Sequence, residues 1–168
     1  MRKAGIFMTG VLIIVPCGKR KLWDRDPNHS PATAKEAYTG TLFRLNRAYA
    51  EKFGDQWLVL SAKYGFIEPD SVIPGPYDVS FKKKQSDPIV IESLHRQVEQ
   101  LDLHEISTVV GLGGAEYRER VGLIFGNQVA SLEYPFEGLK LGYLLQATKQ
   151  AIDSGISGIR NDGKAGHK

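Results

Sequence analysis

The feature that most constrains the fold is a short uncharged run, Val11–Pro16. Four of its six residues are β-branched, which is the pattern of a strand buried on both faces of a parallel sheet. The run ends in Cys17-Gly18-Lys19-Arg20-Lys21, where three cations follow a thiol and a glycine. Ligands of open α/β sheets bind at the carboxyl ends of the strands. The cations therefore predict an anionic ligand, with phosphate as the first expectation. The alternative is a solvated turn in which Cys17 is a small packing residue.

Three further runs predict strands, and helical patterns lie between them. The predicted strands are Gln56–Ser61, Ile106–Gly111 and Gln128–Leu132. Apolar spacings of three and four residues, together with capping signals, predict four helices. They run over Thr41–Phe53, from Asp87-Pro88 to about Leu101, over Ala115–Phe125 and over Gly138–Ile152. In the first of them, the expected buried stripe is Leu42, Leu45, Tyr49 and Phe53. This alternation predicts an α/β fold, a Rossmann-like three-layer sandwich whose mostly parallel central sheet has about four strands.

The length and composition favour one domain. The chain has 168 residues, of which 42% are hydrophobic and 24% charged, and this is enough for a proper core. We expect a single α/β domain over residues 8–153 and a flexible tail over residues 154–168, which are rich in glycine and polar residues. Residues 66–81 contain three prolines and predict a long functional loop.

The charge and the cysteine content limit the partners and the compartment. The net charge of +3 permits nucleotide or nucleic-acid binding. A second basic run, Lys82-Lys83-Lys84, extends a phosphate track or is a solvated loop. A single cysteine excludes an internal disulfide and favours a reducing cytoplasm. The four histidines lack paired ligand spacing, so we expect no metal and no cofactor. The sequence leaves the oligomeric state open.

The amino terminus superficially resembles a secretion signal. Met1-Arg2-Lys3 is followed by apolar residues, but Thr9 and Gly10 interrupt them and Pro16 stands directly before Cys17. Both features argue against cleavage. The apolar stretch is also too short to span a bilayer, so no membrane association is expected.

Glycines at the end of Ile106–Gly111 suggest a second anion site. Gly113 and Gly114 precede a predicted helix, whose backbone N–H groups can meet an anion. Tyr117 and Arg118, one turn later, would add a stacking face and a phosphate clamp, or lie on a solvated helix. The turn does not match Gly-x-Gly-x-x-Gly, and there is no Walker lysine pattern. Glycines that serve tight turning alone are the alternative.

Two further positions carry possible chemistry. Tyr77-Asp78 in the long loop offers an aromatic face beside a carboxylate, which suits recognition of a base and acid or base catalysis near Lys63. An ordinary surface turn is the alternative. Cys17 is expected to line the site and not to act as a nucleophile, because Trp23 stands where the cysteine phosphatase pattern needs arginine.

The order of several motifs resembles an uncharacterised bacterial and phage domain family. The family in turn resembles the uracil-DNA glycosylase-like superfamily, which includes the lyase domain of archaeosine synthase. The Gly-Gln-Asp-Pro-Tyr water-activating motif of uracil-DNA glycosylases is absent here. The matching segments, which span Leu12–Ile152, are Val15–Lys21, Ala37–Phe43, Leu60–Gly65, Pro76–Asp78, Gly113–Arg118 and Pro135–Gly142.

The residues and the resemblance together predict an enzyme that acts on a nucleobase, or on its N-glycosidic bond, in a nucleotide or nucleic acid. Asp78 and Lys63 are the expected catalytic residues. A non-catalytic nucleotide or nucleic-acid binding module is the alternative, and a structural or regulatory partner protein is a third. The expected binding residues for substrate and phosphate are Cys17, Gly18, Lys19, Arg20, Lys21, Tyr38, Tyr64, Tyr77, Gly113, Gly114, Tyr117 and Arg118.

Overall fold

The computed structural model describes residues 10–160 of the chain. Its strands are β1 (Gly10–Pro16), β2 (Ala32–Thr33), β3 (Gln56–Ser61), β4 (Gly65–Ile67), β5 (Val72–Ile73), β6 (Ile106–Gly111) and β7 (Ser131–Glu133). Its helices are α1 (Ala34–Ala37), α2 (Thr41–Phe53), α3 (Ile91–Glu99), α4 (Ala115–Phe125) and α5 (Leu141–Ser154). No helix among the described residues is long and apolar enough to cross a lipid bilayer.

Five strands form the central sheet in the order β4-β3-β1-β6-β7. β3, β1, β6 and β7 are parallel, and only β4 runs antiparallel. Ile13 of β1 pairs with Trp57 of β3 on one side and with Val110 of β6 on the other. The α/β class and the mostly parallel sheet are thus confirmed, with five strands where about four were expected. A separate pair of short strands, β2 and β5, lies outside this sheet.

The central strand β1 supplies both halves of the core, because alternate side chains of a strand point to opposite faces. On one face Ile13 packs with Tyr49 of α2 and Ala151 of α5. On the other face Ile14 packs with Leu94 of α3. Helices therefore cover both faces of the sheet, which explains why the Val11–Pro16 run carries no polar residue.

The connections after β1 and β6 run to opposite faces of the sheet. β1 leads to α2, which packs with Ile13, whereas β6 leads to α4, whose Val121 packs with Ile14. Adjacent parallel strands with diverging connections leave a crevice at their carboxyl ends, where ligands bind in such sheets. We call this end, where Pro16, Ser61 and Gly111 finish their strands, the carboxyl edge.

Two sequence-based boundaries in the middle of the chain are wrong. The expected loop over residues 66–81 contains β4, which pairs with β3, and β5. The helix expected from Asp87-Pro88 begins at Ile91. Asp87 instead adopts a left-handed conformation with φ 61°. The backbone N–H of Ile89 donates to the carbonyl of Ala62 at 2.8 Å, and this keeps the segment before α3 extended.

The last strand and the last helix also differ from expectation. β7 is Ser131–Glu133 and α5 begins at Leu141, because the positive φ of Gly138, 85°, does not fit a helix. In α2 only Tyr49 of the expected stripe is buried. Leu42, Leu45 and Phe53 are half-buried, and the fully buried positions include Phe43, Asn46 and Ala50.

The predicted domain limits stay predictions. Residue 8, where the domain was expected to begin, lies outside the described residues, as do residues 161–168 of the expected tail. Within the described part, Ser157 and Ile159 are buried, and the Tyr49 hydroxyl donates to the carbonyl of Ser157 at 2.6 Å. The segment that follows α5 therefore packs on the core as far as residue 159.

Candidate functional site

Three parallel strands end side by side at the carboxyl edge. The N–H of Cys17 donates to the carbonyl of Leu60 at 3.0 Å, which ties the end of β1 to β3. On the other side, Gly113 has a φ of 107°, and a Cβ atom added there would lie 2.8 Å from Cγ of Pro16. The turn after β6 thus rests on the end of β1. The structure places the predicted residues Cys17 and Lys63 at the same edge of the sheet.

Buried hydroxyl groups form the centre of this edge. The Ser61 oxygen accepts the backbone N–H groups of Lys63 and Tyr64, each at 3.1 Å. Because both of its lone pairs are then used, the Ser61 hydroxyl donates its proton to the Tyr77 oxygen, 2.9 Å away. The Tyr77 hydroxyl also forms a 2.5 Å hydrogen bond with the hydroxyl of Tyr38. One network therefore joins the end of β3, the long loop and the segment before α2.

Cys17 lies beside a third tyrosine hydroxyl. Its Sγ atom is 3.4 Å from the Tyr117 oxygen. Burial raises the pKa of Tyr38, Tyr77 and Tyr117 well above 10, and the neighbouring Cys17 raises it further in each case. All three phenols are therefore protonated at neutral pH and well above it. We refer to Cys17, Tyr38, Ser61, Tyr77 and Tyr117 as the tyrosine cluster.

Two lysines lie against the rings of the tyrosine cluster. Lys21 is only 8% exposed, and its Nζ is 4.4 Å from the ring centroid of Tyr77. Lys63 is exposed, and its Nζ is 5.6 Å from the same ring and 5.3 Å from the ring of Tyr64. The Tyr64 and Tyr77 rings meet edge to face at 5.3 Å. Among the described residues no carboxylate forms an ion pair with either lysine, so both charges are available to an anion.

The remaining residues of the basic turn have different surroundings. Lys19 and Arg20 are exposed. The backbone carbonyl of Lys19 accepts a hydrogen bond from Nζ of Lys21 at 3.1 Å, and that of Arg20 accepts the N–H of Thr39 at 3.0 Å. Gly18 is half-buried against the start of α2. The turn is thus fixed by its backbone, and the side chains of Lys19 and Arg20 reach solvent.

Asp78 lies beside the tyrosine cluster in sequence but is exposed. No hydrogen bond or ion pair joins its carboxylate to another residue of the described segment, and the expected pairing with Lys63 does not form. Lys63 instead lies near the ring of Tyr77, with its Nζ 5.6 Å from the ring centroid. A carboxylate at this point is free to approach a ligand from the solvent side.

The turn after β6 directs its cation away from the tyrosine cluster. Arg118 donates from Nη1 to the carbonyl of Gly113 at 2.9 Å, and its Nε lies 3.7 Å from the carboxylate of Glu137. Gly114, the residue before α4, is exposed and extended. Tyr117 points to Cys17, whereas Arg118 secures the turn. The structure thus brings Tyr117 to the cluster and engages Arg118 elsewhere.

Several residues of this edge were missed in the sequence. Ser61 is signalled only by being polar at the end of an apolar strand. Phe81 and Arg120 stack, with the guanidinium carbon 3.8 Å from the ring centroid, and no local pattern predicts their meeting. Asn46 of α2 is 2% exposed and lines a cavity of about 10 Å³ beside Arg118. That space matches a single water molecule.

A larger cavity lies at the opposite edge of the sheet. It has a volume of about 440 Å³, and Leu12 and Trp57 line it at the amino ends of β1 and β3. Its charged lining residues, Glu68 and Asp102, are both acidic, so it does not suit a phosphate. Among the described residues there is also no group of three side chains that could hold a metal ion. The carboxyl edge is therefore the stronger candidate for anion binding.

Comparisons with known proteins agree with the motif pattern. A family model described as a family of unknown function, DUF6884, matches residues 12–150. The chain is 36% identical over 143 residues to the uncharacterized protein YfjM of Bacillus subtilis (strain 168), which covers 84% of this chain and 95% of that protein. No solved structure matches the chain significantly. The expected uncharacterised bacterial family is confirmed, and the resemblance to glycosylases stays a prediction.

Proposed function

We propose that this chain, which belongs to DUF6884, a family of unknown function, is an enzyme that binds a nucleotide or nucleic acid at its carboxyl edge and acts on the nucleobase or its N-glycosidic bond. The proposal includes a Rossmann-like three-layer class for the fold, which the helices on both faces of the sheet support. It also includes a cytoplasmic location, which rests on the single cysteine.

One observation carries the proposal: Lys21 and Lys63 both lie on the ring of Tyr77. Each ammonium group is unpaired by acid within the described segment and is close enough to a ring for attraction by its face. Next to them, the rings of Tyr64 and Tyr77 form an aromatic corner. Cations beside an aromatic corner provide the two recognition elements that a nucleotide needs, charge for its phosphate and a stacking surface for its base.

The tyrosine cluster supplies proton donors to the same place. The hydroxyls of Tyr38, Tyr77 and Tyr117 stay protonated because burial raises their pKa values. Tyr38 and Tyr77 share one hydrogen bond and Ser61 donates to Tyr77, so one proton of that pair is left to donate to an oxygen or nitrogen atom of a base. Asp78 follows Tyr77 directly and is exposed, so its carboxylate can activate water or stabilise a cationic sugar. In this arrangement Lys63 neutralises phosphate, and Asp78 is the acid or base.

A non-catalytic binding module is the second candidate, and the surroundings of Asp78 favour it. Catalytic carboxylates and nucleophiles are usually oriented by a neighbouring group. Within the described segment, Asp78 has no such hydrogen-bonded partner. The cations and rings of the carboxyl edge would serve binding equally well without turnover, so the two candidates differ only in what Asp78 does.

Base release separates the two candidates. The protein is incubated with a panel of nucleosides, nucleotides and oligonucleotides, and free base is measured by chromatography, with binding measured in parallel. We expect release by the parent and a loss of about 100-fold or more in Asp78→Asn, with binding kept. Glu99→Gln, which removes an exposed carboxylate at the end of α3, is the control. Binding without release of any base would select the binding module, and absence of binding to the whole panel would overturn both.

A further inference from the structure

A compact loop with three lysines lies next to the tyrosine cluster. Lys82, Lys83 and Lys84 are all exposed, and no acid among the described residues forms an ion pair with them. We refer to residues 80–86 as the basic loop. Short runs of lysine are often only solvated, so the way this loop is held and the groups it adjoins decide whether it can bind a ligand.

Hydrogen bonds close the basic loop on itself. The N–H of Ser80 donates to Oγ of Ser86 at 3.0 Å, and the Ser86 hydroxyl lies 2.5 Å from the carbonyl of Lys83 and 3.1 Å from that of Ser80. Within the loop, the N–H of Lys83 donates to the carbonyl of Ser80 at 3.1 Å, and the N–H of Ser86 donates to that of Lys83 at 2.9 Å. The lysine backbone is therefore preorganised, which lowers the entropy lost when a ligand binds.

An aromatic contact joins the basic loop to the tyrosine cluster. Phe81 is 7% exposed, and its ring centroid is 5.4 Å from that of Tyr117. Tyr117 in turn contacts Cys17. The guanidinium carbon of Arg120 lies 3.8 Å from the ring centroid of Phe81 and adds a fourth cation. The contact between Phe81 and Tyr117 thus connects the loop directly to the cluster. A movement of the loop away from the cluster would expose the Phe81 ring to solvent.

Two groups of cations lie at this edge, and the side-chain contacts of the tyrosine cluster connect one group to the other. Lys21 and Lys63 lie on Tyr77, and the basic loop follows Phe81 on the Tyr117 side. The acids nearest in sequence are Asp24, whose carboxylate accepts the backbone N–H of Lys21 at 2.9 Å, Asp78 and Asp87, which flank the basic loop, and Glu116 and Glu119 on α4. The cations at this edge outnumber these acids. They are Lys19, Arg20, Lys21, Lys63, Lys82, Lys83, Lys84 and Arg120.

We propose that the basic loop binds the phosphate backbone of a nucleic-acid strand, so that the substrate of the carboxyl edge is a polymer and not a free nucleotide. This inference rests on the proposed function. A free nucleotide carries its phosphates on one side of the sugar, whereas a nucleotide within a strand has a phosphate on both. Two cationic groups joined through the tyrosine cluster fit the second arrangement, in which backbone charge supplies most of the affinity.

Salt dependence tests the inference. Binding of a labelled single strand of about 16 nucleotides and of its duplex is measured by fluorescence anisotropy from about 50 to about 200 mM salt, and binding of a mononucleotide is measured by calorimetry. Lys82→Ser/Lys83→Ser/Lys84→Ser is compared with Lys52→Ser/Arg96→Ser/Lys149→Ser. The second triple removes the same charge from exposed positions in the carboxyl-terminal halves of α2, α3 and α5, which run toward the amino edge of the sheet.

We expect the basic-loop triple variant to weaken strand binding at least about 10-fold. It should also reduce the slope of log affinity against log salt concentration by up to about 2, because each phosphate contact of a single strand contributes about 0.7 to that slope. Mononucleotide binding stays unchanged. An unchanged slope, or an equal loss in the control triple, would overturn the inference. Binding to anionic lipid vesicles is measured in the same way. If the three lysines were needed for binding to vesicles but not for binding to strands, the inference would also be overturned. Mononucleotide binding with no gain for strands overturns this inference alone, whereas no binding of either overturns the proposed function.

Discussion

The two sides of the carboxyl edge use their cations in opposite ways. On the side of β1 and β3, Lys21 and Lys63 lie on the ring of Tyr77 without an acidic partner in the described segment. On the side of β6, Arg118 bonds to the carbonyl of Gly113 and approaches Glu137. Both sides were expected to hold phosphate. The difference teaches that a strand-end pattern predicts where a cation lies but not which group the cation binds.

The chemistry of the two side chains explains the contrast. A guanidinium presents several planar donors and is well suited to a carbonyl and a carboxylate together, as at Arg118. An ammonium on a flexible stem can lie over an aromatic face and keep its remaining donors free. The β6 side therefore holds its own turn together, and the side of β1 and β3 leaves charge for a ligand.

The largest expected effect concerns the structural role of the β6 side. Gly113→Ala should lower the free energy of unfolding by about 3 kcal/mol, because the residue has a φ of 107° and an added Cβ would lie 2.8 Å from the Pro16 ring. Gly114→Ala should lower it by less than about 1 kcal/mol, since Gly114 is extended and its added Cβ meets only Glu116 at 3.4 Å. Urea unfolding measures both.

Equal losses in the two glycine variants would break the comparison. They would mean that the turn after β6 is not held against the end of β1 at Gly113. Tryptophan fluorescence suits the measurement, because Trp23 is buried and reports loss of the core.

The next effect concerns ligand affinity. Lys21→Met removes the buried charge but keeps the aliphatic stem, and we expect about 30-fold weaker nucleotide binding, or about 2 kcal/mol. Lys63→Ala, at an exposed position, should weaken binding less, by about 5-fold. Arg118→Ala should change it by less than about 2-fold, because this cation is already engaged. Calorimetry with the tightest-binding nucleotide of the panel gives all three values.

Cys17→Ser sharpens the same measurement. The hydroxyl can keep the hydrogen bond that the thiol makes with Tyr117, so affinity and turnover should be retained. The opposite order, with Cys17→Ser inactive and the lysine variants near normal, would contradict the phosphate role of the β1 and β3 side and would indicate nucleophilic catalysis by the thiol. A larger loss in Arg118→Ala than in Lys21→Met would instead move the anion to the β6 side.

The elements that the sequence predicted correctly depend on local signals. β3, β6, α2 and α4 begin and end at the predicted residues, because each is an apolar run or helical pattern closed by a polar turn or a glycine. Gly54 and Gly126 end their helices as expected. The start of α3 was not predictable in this way, since it depends on the hydrogen bond from Ile89 to Ala62, two segments that are distant in sequence.

The candidate site was predictable only in part, for the same reason. Cys17 and Lys63 follow apolar strands, and parallel strands end at one edge, so their placement follows from topology. The network from Ser61 to Tyr77 and Tyr38 joins a strand end to two loops. Arg118 meets Glu137 only because of the path after β7. Such partners are chosen by tertiary packing, which no single segment encodes.

The smallest expected effect uses the pH dependence of stability to compare the same two sides. Burial raises the pKa of Tyr38 above 10, its ordinary value. In the folded chain Tyr38 therefore keeps its proton where the unfolded chain loses it, so its contribution to stability is complete below pH 10 and is lost as the pH rises above it. The loss is about 1.4 kcal/mol for each pH unit. The stability of Tyr38→Phe should fall less steeply above pH 10 by that amount.

Tyr134 provides the matched test on the β6 side. Its hydroxyl donates to the carbonyl of Arg118 at 3.2 Å, and it is half-buried. Burial, followed by the charge of Glu137, raises its pKa as well, whereas Arg118 lowers it. Because Arg118 opposes the shift, Tyr134→Phe should change the slope above pH 10 less than Tyr38→Phe does. Urea unfolding at about pH 9, 10 and 11 measures both slopes. Equal changes would show that the two sides bury their phenols alike, and would confine the contrast to the cations.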